Sequence, residues 1–314
     1  MLRQPLVAVL VLAPVLGEWL TTATPPLDML LWPPALVLLV ALYGGGALLC
    51  RELARRSNLG LLGLCLIAAA YAVFEEAVVD RYWFQPRALS EGGLGTYSEV
   101  WHINVLLATN LTVFHVAVSI VSTIVLVELA FPTHRQRPWV EGRGLIATVA
   151  AFLVLPPLLY GEYTLDPMPQ LALAALVVVA LVLIGRSQRR EPSLWSSTAA
   201  TEPARPGLAP VAFTVAAANS LLMGLAETEV PWPLALVAVL APVVLGGLFV
   251  ASRASGPVFG RDGLRVVTGI VGYYCVLSGV IGLAGRFDLT LGALAVVWLL
   301  WALRGRVRET EVVP

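Results

Sequence analysis

The sequence has 314 residues, of which 58% are hydrophobic and only 13% are charged, and its 20 basic and 20 acidic side chains leave no net charge. This composition excludes a soluble globular protein, because a surface in contact with water needs more charged residues. We therefore expect an integral membrane protein that is surrounded by the lipid bilayer and has no nucleic-acid partner.

Apolar segments long enough to cross a bilayer recur along the whole chain. Each is predicted to be a helix, because a spanning segment must satisfy its own backbone hydrogen bonds. The ten predicted transmembrane helices are 5–22, 29–50, 59–84, 100–131, 144–160, 170–185, 208–225, 234–251, 264–284 and 289–303. The predicted fold class is all-α, a polytopic membrane helix bundle, with residues 1–314 forming a single transmembrane domain. The longest connection, 186–207, is polar and is predicted to be a mobile cytoplasmic loop.

The first apolar segment also has features of a secretory signal peptide. MLRQPLVAVLVLAPVLGEWLTTATPP has a basic start, an apolar middle and small residues near Ala23. Glu18 and Trp19 interrupt the region where cleavage would occur, so we expect this segment to be retained as the first helix.

Arginine predicts the orientation of the bundle. All basic side chains are arginines, and all but three of the 20 fall at alternate ends of the predicted helices. Arginine-rich connections stay on the cytoplasmic side, so both termini are predicted to be cytoplasmic. We interpret the absence of lysine as the codon bias of a GC-rich bacterium, which makes the bacterial plasma membrane the predicted location.

Two adjacent acids interrupt the third predicted helix. Glu75 and Glu76 lie in the stretch AVFEEAVVDRYWF, near the outer end of that helix. A charged side chain costs about 2.5–3.5 kcal/mol within a membrane helix, so an intramembrane acid suggests a function. Neighbouring residues on a helix lie about 100° apart, and one wall of a cavity can present both. Such a pair suits proton transfer or the activation of a water molecule.

Other polar residues are expected at the same depth. The fourth predicted helix carries His115, Asn104 and the more peripheral His102, while Glu18 and Asn219 lie near the outer ends of helices one and seven. We predict an outer-half polar site in which Glu75, Glu76 and His115 are catalytic and Glu18, His102, Asn104 and Asn219 contribute to binding. The alternative left open is that buried glutamate–histidine pairs only hold helices together.

No motif predicts a cofactor. The chain has no GxxxxGK[ST] loop for a nucleotide. Carboxylate and imidazole groups are suitable ligands for zinc or manganese, so a site of Glu75, Glu76, His115 and Glu18 is chemically reasonable. Because no HExxH-type spacing supports it, we predict no metal and no other cofactor.

Two resemblances add to these expectations. The stretches PVLGEWLTTATPP, LYGGGALLCREL and AYAVFEEAVVDRYWFQP look similar to an uncharacterised family of bacterial polytopic membrane proteins. Glu75-Glu76 followed by the histidine-bearing helix resembles the CAAX-processing and bacteriocin-immunity group of intramembrane glutamate proteases. That second resemblance implies that Glu75 or Glu76 activates water, that His115 assists, and that an asparagine helps to hold the oxyanion.

Three functional hypotheses follow. The first is a membrane-embedded hydrolase, in particular a peptidase, that acts on a membrane peptide or a small molecule. The second is a secondary transporter, since ten helices with both ends inside are compatible with two five-helix repeats. The third is a non-catalytic membrane component that binds a partner helix or a lipid. No sequence feature addresses the oligomeric state.

Overall fold

Helices dominate the computed structural model of this chain, which describes residues 4–84, 95–160, 168–188, 192–196, 206–225 and 230–309. In chain order the helices are α1 (Gln4–Pro14, continued by Val15–Trp19), α2 (Pro26–Leu31), α3 (Pro33–Arg56), α4 (Leu61–Val79), α5 (Val105–Ala130), α6 (Gly142–Tyr160), α7 (Met168–Ser187), α8 (Leu208–Gly224), α9 (Trp232–Arg253), α10 (Arg261–Leu283) and α11 (Phe287–Glu309). A two-stranded antiparallel ribbon pairs β1 (Glu99–Val100) with β2 (Ile103–Asn104). The chain is thus an all-α membrane bundle with one small ribbon.

Seven of the described helices are long and apolar enough to cross a membrane, namely α3, α4, α5, α7, α9, α10 and α11. The apolar helices α1, α6 and α8 do not meet the same length criterion over the described residues. Helix is therefore found in all ten predicted spans. The number of crossings and the cytoplasmic termini stay predictions.

The predicted second helix, 29–50, has different boundaries in the structure. Its first residues belong to the short helix α2, which ends before Trp32, and the long helix α3 begins at Pro33 and continues to Arg56. Trp32 has φ −119° and ψ 88°, outside the helical region. The reason is local, because a residue that precedes a proline is disfavoured in the α conformation.

The predicted helices 59–84 and 100–131 are both too long at the end that faces the ribbon. Helix α4 ends at Val79, and Arg81 beyond it has a positive φ of 56°. The segment before α5 is a hairpin whose loop residues, Trp101 and His102, have φ of 53° and 60°. Two positive φ values favour a tight hairpin turn over a helix. Helix α5 starts at Val105, where the side chain of Asn104 accepts a hydrogen bond from the Leu107 amide at 3.1 Å.

The helices pack in two connected groups. Helices α1, α3, α4 and α5 surround one another, while α8, α10 and α11 pack in sequence and meet the first group through α10 and α11. Close contacts within the first group depend on glycine. A Cβ atom at Gly17 would lie 2.3 Å from the ring of Tyr43, and one at Gly46 would lie 2.1 Å from the ring of Tyr71. Both tyrosines therefore reach the interior only because the facing residue has no side chain.

Fully buried ion pairs connect α3 to α5 at one end of the bundle. We name Arg51, Glu52, Glu128, Arg56 and Arg135 the arginine cluster. The Arg51 guanidinium is 0% exposed, donates to Glu52 Oε1 at 2.6 Å and to Glu128 Oε1 at 2.9 Å, and also donates to two backbone carbonyls. Arg56 and Arg135 add further positive charge beside the same two carboxylates. Burial lowers the pKa of Arg135, which lies beyond α5, and the nearby charge of Glu128 opposes that shift.

The predicted mobile loop contributes to this cluster. Of residues 186–207, the structure describes 186–188, 192–196 and 206–207, and Trp195 is 3% exposed. Its indole donates a hydrogen bond to Glu128 Oε1 at 2.9 Å. Residues 189–191 and 197–205 lie outside the described residues.

Candidate active site

Four of the described helices each contain a π-helical segment, and these segments meet in the interior. They are Val15–Trp19 in α1, Val40–Gly44 in α3, Phe74–Val79 in α4 and His115–Ser122 in α5. Their polar side chains include Glu18, Tyr43, Glu75, Glu76 and His115. A π-helical segment widens a helix locally and occurs frequently at functional sites. The four segments thus mark one place in the bundle.

The side chain of His115 lies between two glutamates. Its Nε2 is 2.7 Å from Glu76 Oε1, and its Nδ1 is 3.1 Å from Glu75 Oε2. Ser119 Oγ is 3.0 Å from Nδ1 and forms the hydrogen bond at that nitrogen. The exposed fractions of His115, Glu75 and Glu76 are 1%, 3% and 5%. We name Glu75, Glu76 and His115 the histidine cluster.

The adjacency of the two acids explains this arrangement. Consecutive residues of a helix point in different directions, so the two carboxylates cannot occupy the same position. The two imidazole nitrogens lie on different edges of the His115 ring, and each acid meets a different nitrogen. Two neighbouring glutamates on α4 can therefore hold a single histidine of α5 from two sides.

Aromatic rings enclose the histidine cluster. The ring centroids of Phe114, Tyr43 and Tyr71 lie 4.9, 5.9 and 6.0 Å from that of His115. The Tyr43 hydroxyl is within hydrogen-bonding reach of Glu75 and of Glu18, and so connects α1 to the cluster. This shell restricts the orientation of the imidazole and of both carboxylates.

A cavity of about 560 Å³ leads to the cluster. Its polar lining includes Glu18, Thr21, Thr24, Asp28, Tyr43, Glu75, Glu76, Asp80, Tyr82, Asn110, His115 and Tyr274, and its apolar lining includes Trp32, Leu38, Leu39, Leu42, Leu111 and Phe114. Ala23, Asp28 and Trp32 are exposed, so the opening lies beside α2, between the end of α1 and the start of α3. The cavity therefore joins an apolar wall to a polar base.

The charge at this cavity is strongly unbalanced. No arginine or lysine is present among the described residues that line it, whereas five carboxylates are. Asp28, close to the opening, pairs with Arg286 at 3.1 Å. Hydrogen bonds to Asp288 and Asp28 raise the pKa of Arg286, which therefore remains positively charged at the rim. At the base of the cavity, the His115 imidazole faces Glu75 and Glu76, with Glu18 nearby.

The histidine cluster also has the donor set of a metal site. Each of its three residues offers one ligand atom, and these atoms lie within 4.8 Å of one another. The same groups can act as acids and bases, since a carboxylate and an imidazole in hydrogen-bonding contact are suitable partners for proton transfer. The arrangement is compatible with either chemistry.

The structure brings together four of the seven residues predicted for the site. Glu18, Glu75, Glu76 and His115 line the cavity or its base. The other three lie elsewhere. His102 is in the hairpin loop, with its side chain 75% exposed and its Nδ1 3.0 Å from Glu99. Asn104 caps α5, and Asn219 on α8 donates to the Val239 carbonyl at 3.1 Å.

Three groups at the site are not predicted by the sequence. Tyr43 stands beside a run of glycines that indicates helix packing, Tyr71 lies in an apolar run, and Asn110 belongs to a glycosylation motif within a predicted span. The sequence does contain a signal for Tyr71, because Tyr71 precedes Glu75 by four residues and therefore lies on the same face of the helix. Tyr43 gives no such signal, since its position depends on Gly17 of another helix.

The fold and the site define a class of protein, an integral membrane protein of many helices with a glutamate–histidine cluster at the base of a cavity. The chain belongs to a family whose model, described as "Uncharacterized membrane protein family", matches residues 7–252. The match covers more than three quarters of the 314 residues and includes the whole histidine cluster. No curated protein and no solved structure matches the chain. The resemblance to an uncharacterised membrane family is thus confirmed, while the likeness to glutamate proteases and the bacterial origin stay predictions.

Proposed function

We propose that this protein is a hydrolase of the bacterial plasma membrane, and that its 314 residues form one transmembrane domain with both termini in the cytoplasm. The substrate is a membrane peptide or a small molecule that enters the cavity from the outer side. One observation carries the proposal: the His115 imidazole lies 2.7 and 3.1 Å from the two carboxylates, at the base of an open cavity.

The chemistry proposed is the attack of water on an acyl carbon. One carboxylate of the histidine cluster accepts a proton as the water oxygen bonds to that carbon. The bond to the leaving group then breaks, and the leaving group departs with a proton delivered through His115. Asn110 and Tyr43 line the same cavity and supply donors for the oxyanion that develops. Water is consumed, and the products are a carboxylic acid and an amine or alcohol.

The shape of the cavity supports an amphiphilic substrate. Leu38, Leu39 and Leu42 line one side of the cavity, whereas the reacting groups lie at its polar base. A molecule with an apolar part would pack against the leucines and place its polar bond at the cluster. Pockets of this kind, mostly apolar with a few convergent polar groups, are the usual binding sites of small molecules.

Hydrolysis can be tested before the natural substrate is identified. The purified protein in detergent is incubated with panels of lipid esters and membrane peptides in water labelled with a heavy oxygen isotope, and products are examined for the label. We expect label in a carboxylic acid product of the wild-type protein and a loss of about 10²–10⁴-fold in Glu76→Gln. His102→Ala is the matched control, because it also removes a histidine that contacts a glutamate, but at the surface. Equal labelling by wild type and by the double variant Glu75→Gln/Glu76→Gln would contradict the proposal.

A secondary transporter is the second candidate, and one observation favours it. The cavity opens beside α2 and ends at ionisable groups inside the bundle, as expected for an outward-open state. In that case proteoliposomes would accumulate a solute in response to a proton gradient, and no labelled product would form. The third hypothesis, a non-catalytic component that binds a partner helix or a lipid, predicts neither activity.

A further inference from the structure

We propose that the histidine cluster binds one divalent metal ion, zinc or manganese, through His115 and one carboxylate oxygen from each of Glu75 and Glu76. As an account of how water is activated, this inference rests on the proposed function. Metal binding itself can be measured independently of any activity.

The distances fit a single ion. Zinc lies about 2.0–2.2 Å from nitrogen and oxygen ligands, so two ligands of one ion are at most about 4.4 Å apart. The three ligand atoms of the cluster already lie within 4.8 Å of one another. Binding therefore requires only small rotations of side chains. It replaces the hydrogen bond between His115 Nε2 and Glu76 Oε1 with two bonds to the metal.

The charges call for a cation. If both glutamates are ionised they carry two negative charges, and burial of such charge is costly without a partner. The arginine cluster meets this requirement with guanidinium groups, as Arg51 lies within 2.9 Å of both Glu52 and Glu128. No arginine or lysine is found among the described residues that line the cavity, and Arg286 at its rim pairs with Asp28. A divalent ion would balance the two negative charges.

One buried carboxylate oxygen is available as a ligand. Glu75 is 3% exposed and lines the cavity, and its Oε2 makes no hydrogen bond although it lies 3.1 Å from His115 Nδ1. A buried polar atom without a hydrogen bond is unusual in a folded protein. A metal ligand at this atom would account for it.

The residues around the cluster resemble the support that metal-binding histidines require. A ligating histidine almost always uses its second ring nitrogen for a hydrogen bond that fixes the ring. Ser119 Oγ supplies such a contact to Nδ1 of His115 at 3.0 Å, and Ser119 itself is 0% exposed. The cavity leaves further coordination positions open to water or substrate. Open positions are typical of catalytic rather than structural metal sites.

In the proposed hydrolase the ion would polarise the scissile carbonyl or lower the pKa of a bound water molecule. With Glu75 and Glu76 bound to the ion, Glu18, which lines the cavity and is bridged to Glu75 through Tyr43, would replace the cluster carboxylate as the group that accepts the proton of that water. Glu75 and Glu76 would thus hold the ion, while Glu18 would accept the proton.

The test uses the full-length protein in detergent. It is treated with a chelator, dialysed, loaded with Zn²⁺, Mn²⁺ or Co²⁺, and freed of unbound metal before elemental analysis. We expect about one ion per chain, with visible absorption bands from bound Co²⁺. Metal affinity should fall at least about a hundredfold in His115→Gln and in Glu75→Gln/Glu76→Gln, and about 10–100-fold in Ser119→Ala, where only the supporting hydrogen bond is lost.

Two surface variants are the matched controls. His102→Ala and Glu99→Gln remove a histidine–glutamate contact of similar length, 3.0 Å, at an exposed site. They should bind as much metal as the wild type. The inference is overturned if folded wild-type protein retains no more metal than His115→Gln, or if the surface variants lose metal equally.

The outcomes separate the inference from the proposed function. Metal bound at the cluster without labelled product from any substrate panel would support the inference and oppose the hydrolase. Label incorporation at the full rate by a protein that retains no metal at the cluster in the loading experiment would support the hydrolase and overturn the inference.

Discussion

The arginine cluster and the histidine cluster share helix α5 and differ in how their charges are satisfied. Helix α5 carries Glu128 of the first cluster and His115 of the second, whereas Arg51 and Glu52 lie on α3 and Glu75 and Glu76 lie on α4. His115 and Glu128 are thirteen residues apart, which is about 20 Å along a helix. The arginine cluster places guanidinium groups against every carboxylate, whereas the histidine cluster places carboxylates around one imidazole.

This difference indicates different roles. Breaking a buried ion pair by removing one partner is expensive, because it leaves an uncompensated buried charge. A buried cluster that has more carboxylates than cationic groups and is reached by a cavity is costly to maintain, and such costs are typical of functional sites. We therefore assign the arginine cluster to structure and the histidine cluster to function. The following predictions test or sharpen this contrast, in order of decreasing effect.

The largest effect on folding is expected for Arg51→Met. The substitution leaves the carboxylates of Glu52 and Glu128 buried without their shared partner, which costs about 3–5 kcal/mol. The measurement is the free energy of unfolding in detergent or in lipid. Unfolding at the wild-type midpoint would mean that the arginine cluster is not structural.

The largest effect on activity is expected for the single variants Glu75→Gln and Glu76→Gln. Each keeps the shape of the side chain but removes a base, so turnover should fall by about 10²–10⁴-fold. The yield of folded protein should stay close to that of wild type. Size-exclusion profiles measured beside the rates check both statements, and equal loss of folded protein in both variants would favour a structural role.

An intermediate effect is expected for Gly17→Ala. The added Cβ would lie 2.3 Å from the Tyr43 ring, and overpacking of this kind costs about 1–3 kcal/mol. Tyr43 would also move relative to Glu75, so activity should fall together with stability. Gly279→Ala is the matched control on α10, because no atom lies within 4 Å of its added Cβ. Similar stability losses in both variants would show that the contact with Tyr43 is not the cause.

The smallest effect is expected for His102→Ala. The His102 side chain is 75% exposed, and surface ion pairs contribute at most about 1 kcal/mol. We expect a change in unfolding free energy within about 0.5 kcal/mol and unchanged activity. A large loss of activity would instead indicate that His102 contributes to the functional site.

The sequence is informative where a residue conflicts with its surroundings. Glu75, Glu76 and His115 stand out in apolar helices, and their depth can be inferred from position along the chain. Their convergence on one site cannot be inferred in this way, because it depends on which helices are neighbours in the bundle. Arg51 shows the limit in the other direction: the sequence places it among the connecting arginines, whereas the structure buries it within α3.

Predicted helix boundaries are wrong for local reasons. Hydropathy continues through Trp32, and the apolar residues Val100, Trp101 and Ile103 precede α5, so a search for apolar runs joins separate elements there. The proline after Trp32 and the positive φ angles of Trp101 and His102 decide the backbone instead. Asn104 is predicted to bind because it is polar at a helix start, yet that position is also where asparagine caps a helix.

The most direct test of the contrast is the unfolding midpoint of the double variant Glu75→Gln/Glu76→Gln, measured beside Arg51→Met and wild type in the presence of a chelator. This comparison needs neither the substrate nor the metal. A functional cluster with uncompensated charge predicts a midpoint for the double variant equal to or above that of wild type, because amides relieve the buried negative charge. A fall as large as that of Arg51→Met would contradict the account and make the histidine cluster a second structural tie between α4 and α5.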